Sequence, residues 1–201
     1  MYQYTGEKYE AVDFSGREMK DGELTQCTFI NCNFTRASLQ EISTYRCHFH
    51  HCNFEEASLN ASLHAESAFV NCNFIGANLF VSKFTDCKMT GSDFLKTSMD
   101  GITIEGGDWS YTNLRNQPLK KQNLQGINFL EADFMGANLE KADLRHCDLT
   151  RASLAQVTLK GADLRGAVVE GVDFKLLDVR GVRMDAVQAV SFLRAFGAKV
   201  D

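Results

Sequence analysis

The chain has 201 residues, 44% of them hydrophobic and 23% charged, with a net charge of −5. That balance excludes intrinsic disorder and a coiled coil, and the surplus of acid disfavours non-specific binding to nucleic acid, which needs a basic surface. A single proline stands beside fifteen phenylalanines and seven cysteines, which argues against a loop-rich or linker-rich architecture.

Residues 1–10 (MYQYTGEKYE) carry neither the basic n-region nor the apolar h-region of a secretory signal. No stretch approaches the roughly 18 uninterrupted apolar residues of a membrane span, so no membrane partner is expected. Seven cysteines, an odd number without a signal, point to reduced thiols and a cytoplasmic location rather than a disulfide framework.

From Phe14 to Met184 the chain repeats every five residues. Of the 35 positions numbered in 4 or 9, 33 are Phe, Leu, Met, Ile, Val or Trp, and the exceptions are Thr44 and His64. Two residues earlier stands a small or apolar side chain; all seven cysteines fall there, with Ala37, Ala57, Ala137 and Ala162. A polar residue lies between, and twelve of the fifteen glycines sit two residues after the centre, where a tight turn needs a positive φ. The unit is small–polar–large apolar–any–turn, as in AlaAsnLeuGluLys (137–141) and AlaAspLeuArgGly (162–166). Five residues suit neither a helix nor a long strand; they suit a short strand with two inward side chains and a turn, wound and stacked.

This pattern resembles the pentapeptide-repeat family, A(D/N)LXX. The resemblance implies an all-β fold: a right-handed, four-sided β-helix over 1–184 with four units per coil, about 4.8 Å between coils, and a rod of roughly 40 Å. Residues 20 apart then stack. Phe14, Phe34, Phe54, Phe74 and Phe94 share one face; Met19, Leu39, Leu59, Leu79 and Met99 share the next. Thr44 and His64 are also 20 apart, which predicts one local defect over 44–64, a bulge or small loop with Tyr45 and Leu63 replacing the missing core side chains.

CysHisPheHisHisCys (47–52) is the densest metal-like cluster. Its cysteines point inward and its histidines outward, so they do not converge on one tetrahedral site and no metal is assigned. Cys32, Cys52 and Cys72 form a stacked row with parallel Cβ vectors, read as small buried hydrophobes rather than a disulfide. Near Pro118 the repeat is poorer (Gly107, Thr112, Gln117, Gln122), and two readings stand: a kink or subdivision near 100–122, or a tolerated surface proline. No nucleophile–base motif, phosphate-cradling glycine loop or HExxH is present, so neither an enzyme nor a cofactor is expected.

After Met184 the period stops. Asp185 is an N-cap for a helix to about Phe196, with Gly197 closing it, so 185–201 is a capping or dimerising tail. LeuAspValArgGlyVal (177–182) and AspAlaValGlnAlaValSerPheLeuArgAlaPheGly (185–197) resemble the end of the Qnr-type subgroup of the family. That subgroup includes quinolone-resistance proteins and immunity proteins against microcin and albicidin. The resemblance implies a homodimer through Met184, Val187, Val190, Leu193 and Phe196. It also implies a partner, DNA gyrase or topoisomerase IV, which the rod shields from a poison by mimicking DNA rather than binding nucleic acid directly. The alternative is a scaffold for an unrelated protein. Duplex DNA would show roughly 24 charges over 40 Å, so a net of −5 permits mimicry only in patches. The candidate acids are Asp133, Asp143, Asp148, Asp163 and Asp173, all at the outward polar position.

Overall fold

The structure is a computed structural model and describes residues 3–175 and 177–200. Many five-residue units close on themselves. The Phe34 carbonyl accepts from the Ala37 N–H at 2.9 Å, and Arg36 between them has φ +56°. A positive φ at the third residue is what a type II turn needs. Four units make a coil of 20 residues, so the ladder bonds span 19 or 21 positions. The Phe34 N–H donates to the Asn53 carbonyl at 2.6 Å, and the Asn53 N–H donates back to Cys32 at 3.0 Å.

The corner is not reserved for glycine. Asp21, Tyr111, Lys121 and the β-branched Val81 hold φ between +51° and +60° there, at about 1–2 kcal/mol each for an L residue. Ladder bonds offset that strain, as when the Asp21 N–H donates to the Gln40 carbonyl at 3.0 Å.

Contacts divide the chain into two compact units, Met1–Asp108 and Trp109–Asp201. The first carries strands β1 (Gln3–Thr5), β2 (Lys8–Glu10), β3 (Glu23–Thr25), β4 (Thr28–Ile30), β5 (Ser43–Tyr45), β6 (His48–His50), β7 (Leu63–Ala65), β8 (Ala68–Val70), β9 (Lys83–Thr85) and β10 (Thr103–Glu105). They pair in parallel as two sheets, β1-β3-β5-β7-β9-β10 and β2-β4-β6-β8. Thr5, Thr25, Thr85, Ile30 and Val70 end five of these ten strands, and such β-branched residues favour extended backbone. Inside, Phe14, Phe34, Phe54, Phe74 and Phe94 stack face to face at 4.8–5.0 Å. Phe29, Phe49 and Phe69 form a second ladder at 4.6–4.7 Å.

The bulge expected at Thr44 and His64 does not form. β5 and β7 keep perfect register, with Thr44 opposite His64, and both side chains are buried at 3% and 2% exposure. Tyr45 and Leu63 do not replace them; they are 40% and 56% exposed. The reason is hydrogen bonding. His64 Nδ1 lies 2.8 Å from Thr44 Oγ1 and Nε2 lies 2.9 Å from Ser62 Oγ, while Thr44 also donates to Ser67 Oγ. A buried polar pair with its bonds made costs far less than breaking a ladder.

The second unit winds without regular strands among the described residues; its coils are joined by single parallel bridges such as Asp143 to Asp163. Leucines replace the phenylalanine ladders, and Leu114, Leu124, Leu139, Leu144 and Leu164 are fully buried. Pro118 is exposed and stays in register with Asn138. Helix α1 (Ala186–Ala195) ends this unit. Among the described residues no helix is long and apolar enough to cross a membrane.

Candidate interaction surfaces

The five candidate acids first serve the backbone. Each Oδ1 accepts the N–H two residues on: Met135 for Asp133, Arg145 for Asp143, Thr150 for Asp148, Arg165 for Asp163 and Lys175 for Asp173, at 2.9–3.2 Å. Such local bonds fix the turn that follows. Three acids are also matched by arginine: Asp133 by Arg115 at 2.6 Å, Asp143 by Arg145 at 2.6 Å, and Asp163 by Arg165 at 2.7 Å and Arg183 at 3.4 Å. The Arg165 hydrogen bond holds the Asp163 carboxyl down at about 2. Asp143 and Asp163 face each other on adjacent coils, while Asp133 and Asp173 lie two coils apart in a different column and Asp148 in a third. The five do not converge on one surface.

The surplus of acid lies elsewhere. Residues 1–108 hold 15 acids and 8 bases, a net of −7, whereas residues 109–201 hold 11 acids and 13 bases, a net of +2. In the first unit Asp13, Asp21, Glu23, Glu41, Glu55, Asp86, Asp93 and Asp100 enter no ion pair among the described residues.

At the other end, Asp185 caps α1 by accepting from Val187 at 2.9 Å, and its second oxygen accepts from the Gly166 N–H at 2.7 Å. Gln188 Oε1 accepts from the Asp185 N–H, completing a capping box, and its Nε2 donates to the Ala167 carbonyl at 2.8 Å while buried. Phe192 packs edge-on against Phe174 at 5.8 Å. The helix therefore docks through Gln188 and Phe192. Of the five expected interface residues, Val187, Leu193 and Phe196 stand 70%, 47% and 57% exposed, and Met184 and Val190 are half-buried. An open groove of about 540 Å³ runs beside the helix, lined by Val168, Val172, Phe174, Val187 and Ser191. Apolar spacing does not single out the docking residues; the Asp185–Gln188 interval of three is the capping-box signal that finds one of them.

His48 and His50 lie side by side on β6 with ring centroids 6.2 Å apart, while Cys47 and Cys52 point into the core. All seven cysteines are free and buried. Burial pushes the Cys47 and Cys87 thiols up to about 11 and Cys147 to about 12.

The sequence matches the family model for pentapeptide repeats, in 8 copies, over residues 52–95, 119–151 and 147–185. No curated protein matches it. Among solved structures, one trypsin-treated variant of QnrB1, described as a plasmid-mediated fluoroquinolone resistance protein, aligns with a TM-score of 0.85 at 21% identity over 99% of this chain and 100% of that one. A second such variant aligns with a TM-score of 0.73 at 22% identity, over 100% and 98%. HetL, a pentapeptide repeat protein involved in heterocyst differentiation regulation from the cyanobacterium Nostoc sp. strain PCC 7120, aligns with a TM-score of 0.50 at 22% identity, over 90% and 84%. At these identities the likeness is one of fold.

Proposed function

This chain belongs to the pentapeptide-repeat family, and from that premise we propose that it binds bacterial DNA gyrase as a DNA mimic and protects it from a gyrase-targeting antibiotic or toxin. The observation that carries the reading is the shared fold with a fluoroquinolone-resistance protein along the length of both chains. In this reading the protein is a cytoplasmic, non-catalytic homodimer, joined through the exposed side of α1 at Val187, Leu193 and Phe196 with Met184 and Val190 beside them.

The mimicry belongs to the first unit. Its six-stranded sheet spans five coil steps, about 24 Å, over which duplex DNA would place about 14 charges. A net of −7 is half that density, enough for an acidic surface that steers toward a basic DNA-binding saddle. The five acids in the second unit, mostly matched by arginine, contribute little to it.

The test is supercoiling by purified gyrase in the presence of a fluoroquinolone, with and without the protein, repeated with topoisomerase IV. Restored supercoiling at micromolar protein is expected. If the protein neither protects nor inhibits either enzyme, the reading fails and a scaffold for another protein takes its place.

A further inference from the structure

Positions 20 apart at one corner carry opposite charge in the two units. In the first unit that corner carries Asp21 and Glu41 on consecutive coils; in the second it carries Lys121 and Lys141 on consecutive coils. All four are exposed and hold φ between +52° and +60°. Their backbones are fixed by ladder bonds of the same kind: Asp21 to Gln40, Glu41 to Asn60, Lys121 to Glu140 and Lys141 to Lys160, at 2.8–3.0 Å. Each pair therefore presents its two charges one coil step apart, about 4.8 Å at the backbone.

None of these four enters an ion pair among the described residues. Nearby charges cancel internally: Glu18 with Lys20 at 2.9 Å, and Lys120 with Glu140 at 2.7 Å. Glu23 beside the acidic column and Lys160 beside the basic one are likewise in no ion pair there. Two edges of equal and opposite charge remain: Asp21, Glu23 and Glu41 against Lys121, Lys141 and Lys160.

We propose that the lysine edge of the second unit docks onto the acidic edge of the first unit of a second copy of this chain. The occupant follows from the match of sign and number, from the equal one-coil spacing of the two corner pairs, and from the net charges of −7 and +2 that orient the two units toward each other. Duplex DNA fits less well, because the same chain carries the strongly acidic first unit into any such complex. This contact is separate from the helix-mediated dimer and independent of gyrase.

Exposed ion pairs are individually weak and screened by salt, so the contact is a reversible one that strengthens as salt falls. The substitutions are benign to the backbone, since glutamate and lysine already occupy this corner. Sedimentation velocity on the full-length Leu193→Asp chain, which removes the helix contact, compares it with the same chain carrying K121E/K141E or D21K/E41K. The parent chain is expected to self-associate about 10-fold more tightly in ~0.05 M salt than in ~0.5 M, and each reversed chain alone to stay monomeric. An equimolar mixture of the two is expected to form a heterocomplex, because one then carries acids and the other lysines at both edges. Self-association unaffected by either reversal, or a mixture that stays monomeric, overturns the proposal. So does a lysine edge that binds duplex DNA, with loss in K121E/K141E, while the parent chain remains monomeric at low salt.

Discussion

At the scale of single residues, the column Leu24, Thr44, His64, Phe84 shows how a broken pattern can leave a fold intact. Both polar side chains point inward and satisfy each other, and His64 also stacks on Phe84 at 4.6 Å. Burial pushes the His64 imidazole from 6.5 down to about 3. Between those values the unfolded chain binds a proton that the folded chain refuses, so stability falls as pH falls, by up to about 1.4 kcal/mol per pH unit. The melting temperature is therefore expected to drop between pH 6.5 and 5, and His64→Phe to flatten the drop; equal slopes in the two proteins would clear His64 of the effect. Gly107 is a second case that spacing alone does not reveal. It holds φ +93°, and a Cβ there would sit 2.1 Å from the Cys87 carbonyl oxygen. Gly107→Ala is expected to cost about 3 kcal/mol, on the order of 10 °C in melting temperature. Gly126→Ala, with nothing within 4 Å of the new Cβ, should cost about a third of that; equal losses would mean that the carbonyl clash is not the cause.

Among the elements, the coils are set by a two-residue inward pattern that can be counted in the sequence, and the helix by two termini that are nearly as plain, whereas the confinement of regular strands to the first unit is not visible in that pattern. Asp185 and Gly197 bracket α1 within a residue or two of its observed ends. Which side of the helix docks was not legible. Its apolar residues lie on more than one side, and the docking side is chosen by Gln188, a polar residue buried because Ala167 offers it a carbonyl. The consequence is that Leu193, at 47% exposure, is available to a partner. Leu193→Asp is expected to leave the melting temperature within about 1 °C and to halve the mass measured by sedimentation in ~0.5 M salt, where surface ion pairs are screened. A mass that does not change would make α1 a cap and nothing more.

For the whole molecule, the charge that bears on the proposed function is divided between the two units: the five acids singled out from their repeat position lie in the second, and the net negative charge lies in the first. Their regular spacing meets a turn requirement, each accepting the N–H two residues on. On the gyrase reading, Asp13→Asn with Glu55→Gln and Asp93→Asn is expected to raise the protein concentration needed for protection about 10-fold by weakening steered association. Asparagine keeps the turn bonds that Ser15 and Leu95 donate to residues 13 and 93. Asp143→Asn with Asp163→Asn should leave that concentration unchanged, and the reverse pattern would put the gyrase contact on the second unit. The sequence alone determined the coil: period, inward side chains and corners follow from which side chains must leave water every five residues, and the closing helix from the cap that starts where that period stops. The charge of each unit follows by counting once the contacts place the boundary after Asp108. What the tertiary structure decided is which charges and apolar groups are spent internally. Whether Asp163 meets a second arginine, whether His64 finds Thr44, and whether Leu193 faces water depend on neighbours 18 to 21 positions away whose side-chain reach no five-residue pattern encodes.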